Sequence, residues 1–140
     1  MADKKPPSPW KEKDKVIINS ININQNYELI SVATSEGYRI FSVENYRLVN
    51  EITEQNRNLG NLSLVSVYFS SELVFCIGDF KNFKHPNQLI AFDDSKQDII
   101  GTFKMNGQPL YSFYLASNVA FIFGRDRLKY LDFEIGYSCD

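Results

Sequence analysis

The amino-acid sequence predicts an all-β fold of about three four-stranded antiparallel sheets, and three observations carry that expectation. The first is a repeat. An apolar run closes on a small residue at Leu29-Ile30-Ser31-Val32-Ala33, at Val74-Phe75-Cys76-Ile77-Gly78 and at Ala120-Phe121-Ile122-Phe123-Gly124, with spacings of 78−33=45 and 124−78=46. The second is composition: Phe 11 and Tyr 8 against a single Trp and two Met suit a pleated, half-buried surface. The third is punctuation, because turn-forming Asn, Ser and Gly residues separate the apolar runs. A period in this range built from short strands is the mark of β-propeller blades. The third copy stops short at Asp140, so the expected architecture is an open, incomplete propeller.

The elements follow in order. Residues 1–15 mix Lys, Asp and Glu with Pro6, Pro7 and Pro9, which neither pair as a strand nor bury much surface, and read as a disordered leader. The partial propeller occupies residues 16–140. Blade one, residues 16–52, is expected as strands Val16–Ile23, Tyr27–Thr34, Tyr38–Val43 and Tyr46–Ile52, with turns at Asn24-Gln25-Asn26 and Ser35-Glu36-Gly37. Thr53–Asn61 is a polar link. Blade two, residues 62–105, is expected as Leu62–Phe69, Leu73–Ile77, Gln88–Phe92 and Asp98–Phe103, with a long insert, Gly78–Asn87. Asn106-Gly107 turns into an incomplete blade three, residues 109–140, with strands Leu110–Leu115, Val119–Phe123 and Arg127–Phe133. A propeller blade packs both faces on neighbours, so the first and last sheets are expected to leave apolar faces open unless something caps them.

Charge and chemistry narrow the function. A net charge of −2 lacks the clustered cations that displace counterions from phosphates, so no nucleic-acid partner is expected. Cys76 and Cys139 read as reduced thiols of a cytosolic protein. The single His85 has no visible Ser/Asp or Cys partner, and Asp93-Asp94 are adjacent, which sends their carboxylates to opposite sides of a strand. No metal-ligand spacing and no glycine-rich phosphate loop appears. The sequence therefore assigns no catalytic residue, metal or cofactor, and the expected class is not an enzyme.

Ile21-Asn22-Ile23-Asn24-Gln25-Asn26-Tyr27 through Thr34, then Gly37-Tyr38-Arg39-Ile40-Phe41, resembles the start of a WD-type repeat. Cys76-Ile77-Gly78-Asp79, His85-Pro86-Asn87-Gln88-Leu89-Ile90 and Phe92-Asp93-Asp94 resemble the second blade of the PROPPIN family, seven-bladed propellers that bind phosphoinositides and act as scaffolds in autophagy. Gln108-Pro109-Leu110 to Phe133 resembles the third. The resemblance implies a WD-repeat scaffold that works by protein–protein interaction, cytosolic and peripheral at endolysosomal or pre-autophagosomal membranes. The family holds phosphatidylinositol 3-phosphate and related headgroups with a Phe-Arg-Arg-Gly motif, whereas here the nearest string, Phe123-Gly124-Arg125-Asp126-Arg127, interposes an acid. No lipid-binding residue is assigned.

The family also recruits a partner through its second-blade loop, which ends in a Pro-Arg pair. Pro86 matches the proline and Asn87 stands in the arginine's place. Phe80, Lys81, Phe83, Lys84 and His85 make the loop basic and aromatic, a composition suited to docking, and the candidate partner-binding residues are Phe83, Lys84, His85 and Pro86. The alternative for the loop is a surface segment whose aromatics fold back on the blade. The alternative for the whole chain is a structural subunit whose half-propeller assembles with a propeller-completing chain, with no phosphoinositide role.

Overall fold

The computed structural model describes residues 15–105 and 109–132 and the backbone of 138–139. Most of the leader, the turn at Asn106-Gly107, Phe133 and the Cys139 side chain lie outside the described residues. Three antiparallel sheets follow one another along the chain. The first contains β1 (Ile18–Ile23), β2 (Leu29–Thr34) and β3 (Gly37–Ser42). After a single helical turn, α1 (Glu54–Arg57), the second contains β4 (Leu62–Val67), β5 (Leu73–Gly78), β6 (Leu89–Asp93) and β7 (Asp98–Phe103). The third contains β8 (Ser112–Leu115), β9 (Val119–Phe123), β10 (Leu128–Asp132) and the two-residue β11 (Ser138–Cys139). The ring is not closed, as an incomplete propeller requires.

Two hydrophobic seams hold the sheets together. Ala33, Tyr38 and Ile40 of the first sheet meet Val65, Val67, Val74, Cys76, Ile90 and Phe92 of the second. On the second sheet's other side, Phe75, Ile77 and Leu89 meet Phe113, Leu115, Ala120 and Ile122. Alternate residues of β5 thus serve opposite seams, which is why this strand reads as a continuous apolar run. Polar side chains tie the inner strands together. Asn24, 3% exposed, donates from Nδ2 to the Phe69 carbonyl at 2.6 Å, while its Oδ1 accepts from the N–H groups of Glu28 and Leu29. Gln25 accepts from the Phe69 N–H at 2.9 Å and donates to the Ala116 carbonyl at 3.4 Å. The β1–β2 turn therefore clamps both later sheets.

One expected strand is corrected. Tyr46–Ile52 does not form a fourth strand of the first sheet; it makes one bridge, Phe41 to Leu48, flanked by bonds from the Ser42 N–H to the Arg47 carbonyl and from the Val49 N–H to the Ile40 carbonyl. Side chains satisfy the rest of the β3 edge. The Ile40 N–H donates to Asn50 Oδ1 at 2.8 Å. Asn56 Oδ1 accepts from the Tyr38 N–H at 2.8 Å, and its Nδ2 donates to the Tyr38 carbonyl at 2.9 Å. A carboxamide sets N–H donors beside a C=O acceptor, as a peptide unit sets one of each, so Asn56 replaces a strand residue. The link expected to be merely polar supplies it: Thr53 caps α1 by accepting from the Asn56 N–H, and this turn holds Asn56 wholly buried. Gly37 permits the approach, since a Cβ there would lie 2.2 Å from Asn56 Oδ1 at a φ of +79°.

Candidate functional site

The segment between β5 and β6 is long but not loose. Its base closes through the Gly78 N–H to the Gln88 carbonyl at 2.9 Å and the Asn87 N–H to the Gly78 carbonyl at 3.0 Å. Asp79 starts a tight turn by accepting from the Lys81 N–H at 2.9 Å. Asn82, 4% exposed, then anchors the loop. Its Nδ2 donates to the carbonyls of Leu59 at 2.6 Å and Asn61 at 3.0 Å, and its Oδ1 accepts from the N–H groups of Lys84 at 2.9 Å and His85 at 2.8 Å. These bonds offset the entropy of ordering the loop, about 1–2 kcal/mol per fixed residue. Gly78 is needed beneath it, because a Cβ there would sit 1.8 Å from the His85 carbonyl oxygen.

With the backbone held, the side chains project outward. Phe83 is 102% exposed and Phe80 68%, so neither folds back onto the sheet. The Lys81 ammonium lies 5.6 Å from the centroid of the Phe80 ring. Lys84 and Pro86 are exposed and His85 is half-buried. Burial, assisted by the Lys84 charge and opposed by a hydrogen bond with Gln88, holds the His85 imidazole below its usual pKa, so its neutral form is favoured at neutral pH. Lys84 and His85 also border a recess of about 260 Å³ whose apolar wall includes Phe92 and Ile99. The loop thus presents an aromatic ring, two ammonium groups and an uncharged imidazole above a small recess. Asn82 carries this arrangement, and sequence reasoning missed it; the spacing Asp79-Phe80-Lys81-Asn82, two turn-forming side chains three apart, was the available signal.

The other candidate groups are placed apart. Asp93 accepts from the N–H and hydroxyl of Ser95 and from the Lys96 N–H, which, led by the Ser95 hydroxyl, hold its carboxyl below the usual range. Asp94 instead accepts the buried Tyr38 hydroxyl across the first seam and a bond from Gln97. The two carboxylates diverge and act as separate turn fasteners. Cys76 is buried in the same seam, where burial pushes its thiol pKa up. Arg125, Asp126 and Arg127 are exposed between β9 and β10. Among the described residues no group of three or more His, Cys, Asp or Glu residues is placed to hold a metal ion. No helix among them is long and apolar enough to cross a membrane.

Successive antiparallel sheets packed face to face and left unclosed define a partial β-propeller. The WD40 repeats of RRP9 superpose with a TM-score of 0.62 at 11% identity, covering 89% of this chain and 38% of that one. Two further solved propellers share the fold. Hsv2 of Kluyveromyces lactis matches at a TM-score of 0.67 and 15% identity, over 85% of this chain and 34% of its own. Atg21, solved in complex with the coiled coil of Atg16, matches at 0.70 and 15%, over 89% and 38%.

By sequence the chain is 33% identical over 90 residues to SVP1-like protein 2 of Schizosaccharomyces pombe, which is 64% of this chain and 24% of that protein. It is 32% identical over 88 residues to autophagy-related protein 18 of Kluyveromyces marxianus, 62% of this chain and 16% of that protein. No family model matches the chain. The chain is thus similar to part of these proteins, a PROPPIN-like partial propeller, and its match spans a quarter or less of their length.

Proposed function

We propose that this chain is a non-catalytic docking segment of a PROPPIN-like scaffold, acting in the cytosol and peripherally at endolysosomal or pre-autophagosomal membranes, and that its partner contact centres on Phe83, Lys84, His85 and Pro86. The observation that carries the reading is a fully exposed Phe83 on a backbone pinned by the buried Asn82. An aromatic anchor on a pre-ordered loop binds without a further ordering cost, and cations at its rim steer an acidic partner. That the similar Atg21 was solved with a coiled coil supports a protein as the ligand class. Phe83→Ala with Lys84→Ala is expected to leave the thermal transition unchanged and to lower partner recovery in affinity purification about tenfold. Recovery at the wild-type level would move the contact elsewhere.

Headgroup binding is not part of this reading. Arg125 and Arg127 are separated by Asp126, and exposed surface charges give only weak, salt-sensitive attraction. Flotation with vesicles containing phosphatidylinositol 3-phosphate should show no headgroup-specific binding at physiological salt; specific binding would overturn this.

A second reading, assembly with a propeller-completing chain, is favoured by the outward face of the first sheet. The register aligns Ile23, Ile30, Phe41 and Leu48 across it, with Ile23 50% and Leu48 45% exposed. Ile21→Ser with Ile23→Ser should abolish association under this reading and leave it unchanged under the first, as measured by light scattering.

A further inference from the structure

Between the first two sheets, at the end carrying the β1–β2 and β4–β5 turns, the seam opens into a cleft of about 640 Å³. The first sheet lacks a complete fourth strand here: beyond the bridge at Leu48, Val49 and Asn50 hold the β3 edge by one bond each to Ile40, and both line the cleft. The floor is aliphatic, formed by Leu29, Ile40, Val67 and Val74. Glu28, Glu44 and Glu72 stand exposed at the rim, with Asp94 beside them, and neither Lys nor Arg is among the lining residues.

We propose that this cleft binds a segment of a partner protein in which aliphatic residues alternate with Lys or Arg. Charge complementarity selects the occupant. Carboxylates above a low-dielectric floor attract cationic side chains more strongly than the same groups on open surface, and they repel acidic peptides and phosphates. A divalent cation does not fit as well. Glu28 already accepts the Ser70 hydroxyl, Asp94 is engaged by Tyr38 and Gln97, and no metal-holding group of carboxylates exists among the described residues. An extended segment reconciles the two features, since alternate side chains of a strand point to opposite sides: one set fills the floor and the other reaches the rim. The cleft lies at the start of β5 and the Phe83 loop at its end, so the two surfaces are independent.

The test is fluorescence anisotropy of the full chain with a labelled peptide alternating lysine and leucine, against matched lysine–serine and glutamate–leucine peptides. The lysine–leucine peptide is expected to bind about tenfold or more tightly than either control and to weaken as salt is raised. Glu44→Gln with Glu72→Gln, both at exposed positions, should weaken it about tenfold at an unchanged thermal transition. Phe83→Ala should leave it unaltered, which separates this site from the loop. Equal binding of the lysine–serine peptide would reduce the effect to surface attraction and overturn the proposal. So would wild-type affinity in the glutamate double variant.

Discussion

β1 and β4 hold the same place in successive sheets. Each is the first strand, each is an apolar-polar alternation, and each breaks register after its first residue, between Ile18 and Ser20 and between Leu62 and Leu64. Their outcomes differ. Val65 and Val67 are 0% and 1% exposed, whereas Ile21 and Ile23, one repeat earlier, are 65% and 50% exposed. The strand pattern is the same, and the difference lies in whether a sheet stands on the other side. The outer edges contrast likewise. The second sheet finishes with β7, a full strand, while the first finishes with the amides of Asn50 and Asn56. A repeat therefore transmits strand geometry from copy to copy without transmitting burial or edge completion.

The largest expected effect breaks the edge substitute. Asn56→Ala leaves the Tyr38 N–H buried without a partner and its carbonyl with the Arg39 guanidinium alone, and it should cost about 2–4 kcal/mol in urea denaturation, the sum of an unmet donor and one lost bond to the carbonyl. A loss below about 1 kcal/mol would mean that water or a rebuilt strand serves that edge equally well. Next comes the comparison of inner strands. Val65→Ala should cost about 2–3 kcal/mol, because it opens a cavity in the first seam, and Ile21→Ala less than about 0.5 kcal/mol. Equal losses would show that something covers the first sheet's outer face in solution.

A smaller effect attends the bond between the sheets. Burial, reinforced by Asp94, pushes the Tyr38 hydroxyl well above the usual tyrosine range, so it remains a proton donor at all working pH. Tyr38→Phe should cost about 1–2 kcal/mol. Asp94→Asn should then cost much less in the Tyr38→Phe background than alone, and additive losses would remove the coupling.

The smallest effect belongs to the loop. His85 is held below its ordinary value of 6.5, so the unfolded chain takes up this proton first as pH falls. Its stabilising contribution is complete above that value and is lost as pH drops through the lower folded one. His85→Gln should remove a change in Tm of less than about 2 °C between neutral and mildly acidic pH. A variant with the wild-type pH dependence would assign that change to other groups.

The middle sheet was the most legible part of the chain. Asp98–Phe103 has the bounds expected of it, and β5 extends the expected Leu73–Ile77 by one residue. Apolar runs packed on both sides announce themselves, since every residue of such a strand contributes to a seam. Tyr46–Ile52 failed as a strand because its aromatic and β-branched content suits a sheet, while the groups that satisfy the neighbouring edge sit on Asn50 and on a helical turn beyond it. At the loop, composition pointed to Phe83, Lys84, His85 and Pro86, yet not to the residue that positions them. The carbonyls that Asn82 binds belong to Leu59 and Asn61, 23 and 21 residues earlier in the chain.

By itself the sequence determined the period, the strand alternation, the turns and the chemical character of each surface, because these depend on neighbours within a few residues along the chain. The tertiary structure alone decided that Asn56 would replace a strand, that Asn82 would pin a loop, and that Val65 would be buried where Ile21 is not. Burial and hydrogen-bond satisfaction are properties of what stands opposite a residue, and in a stack of sheets that neighbour comes from a different copy of the repeat.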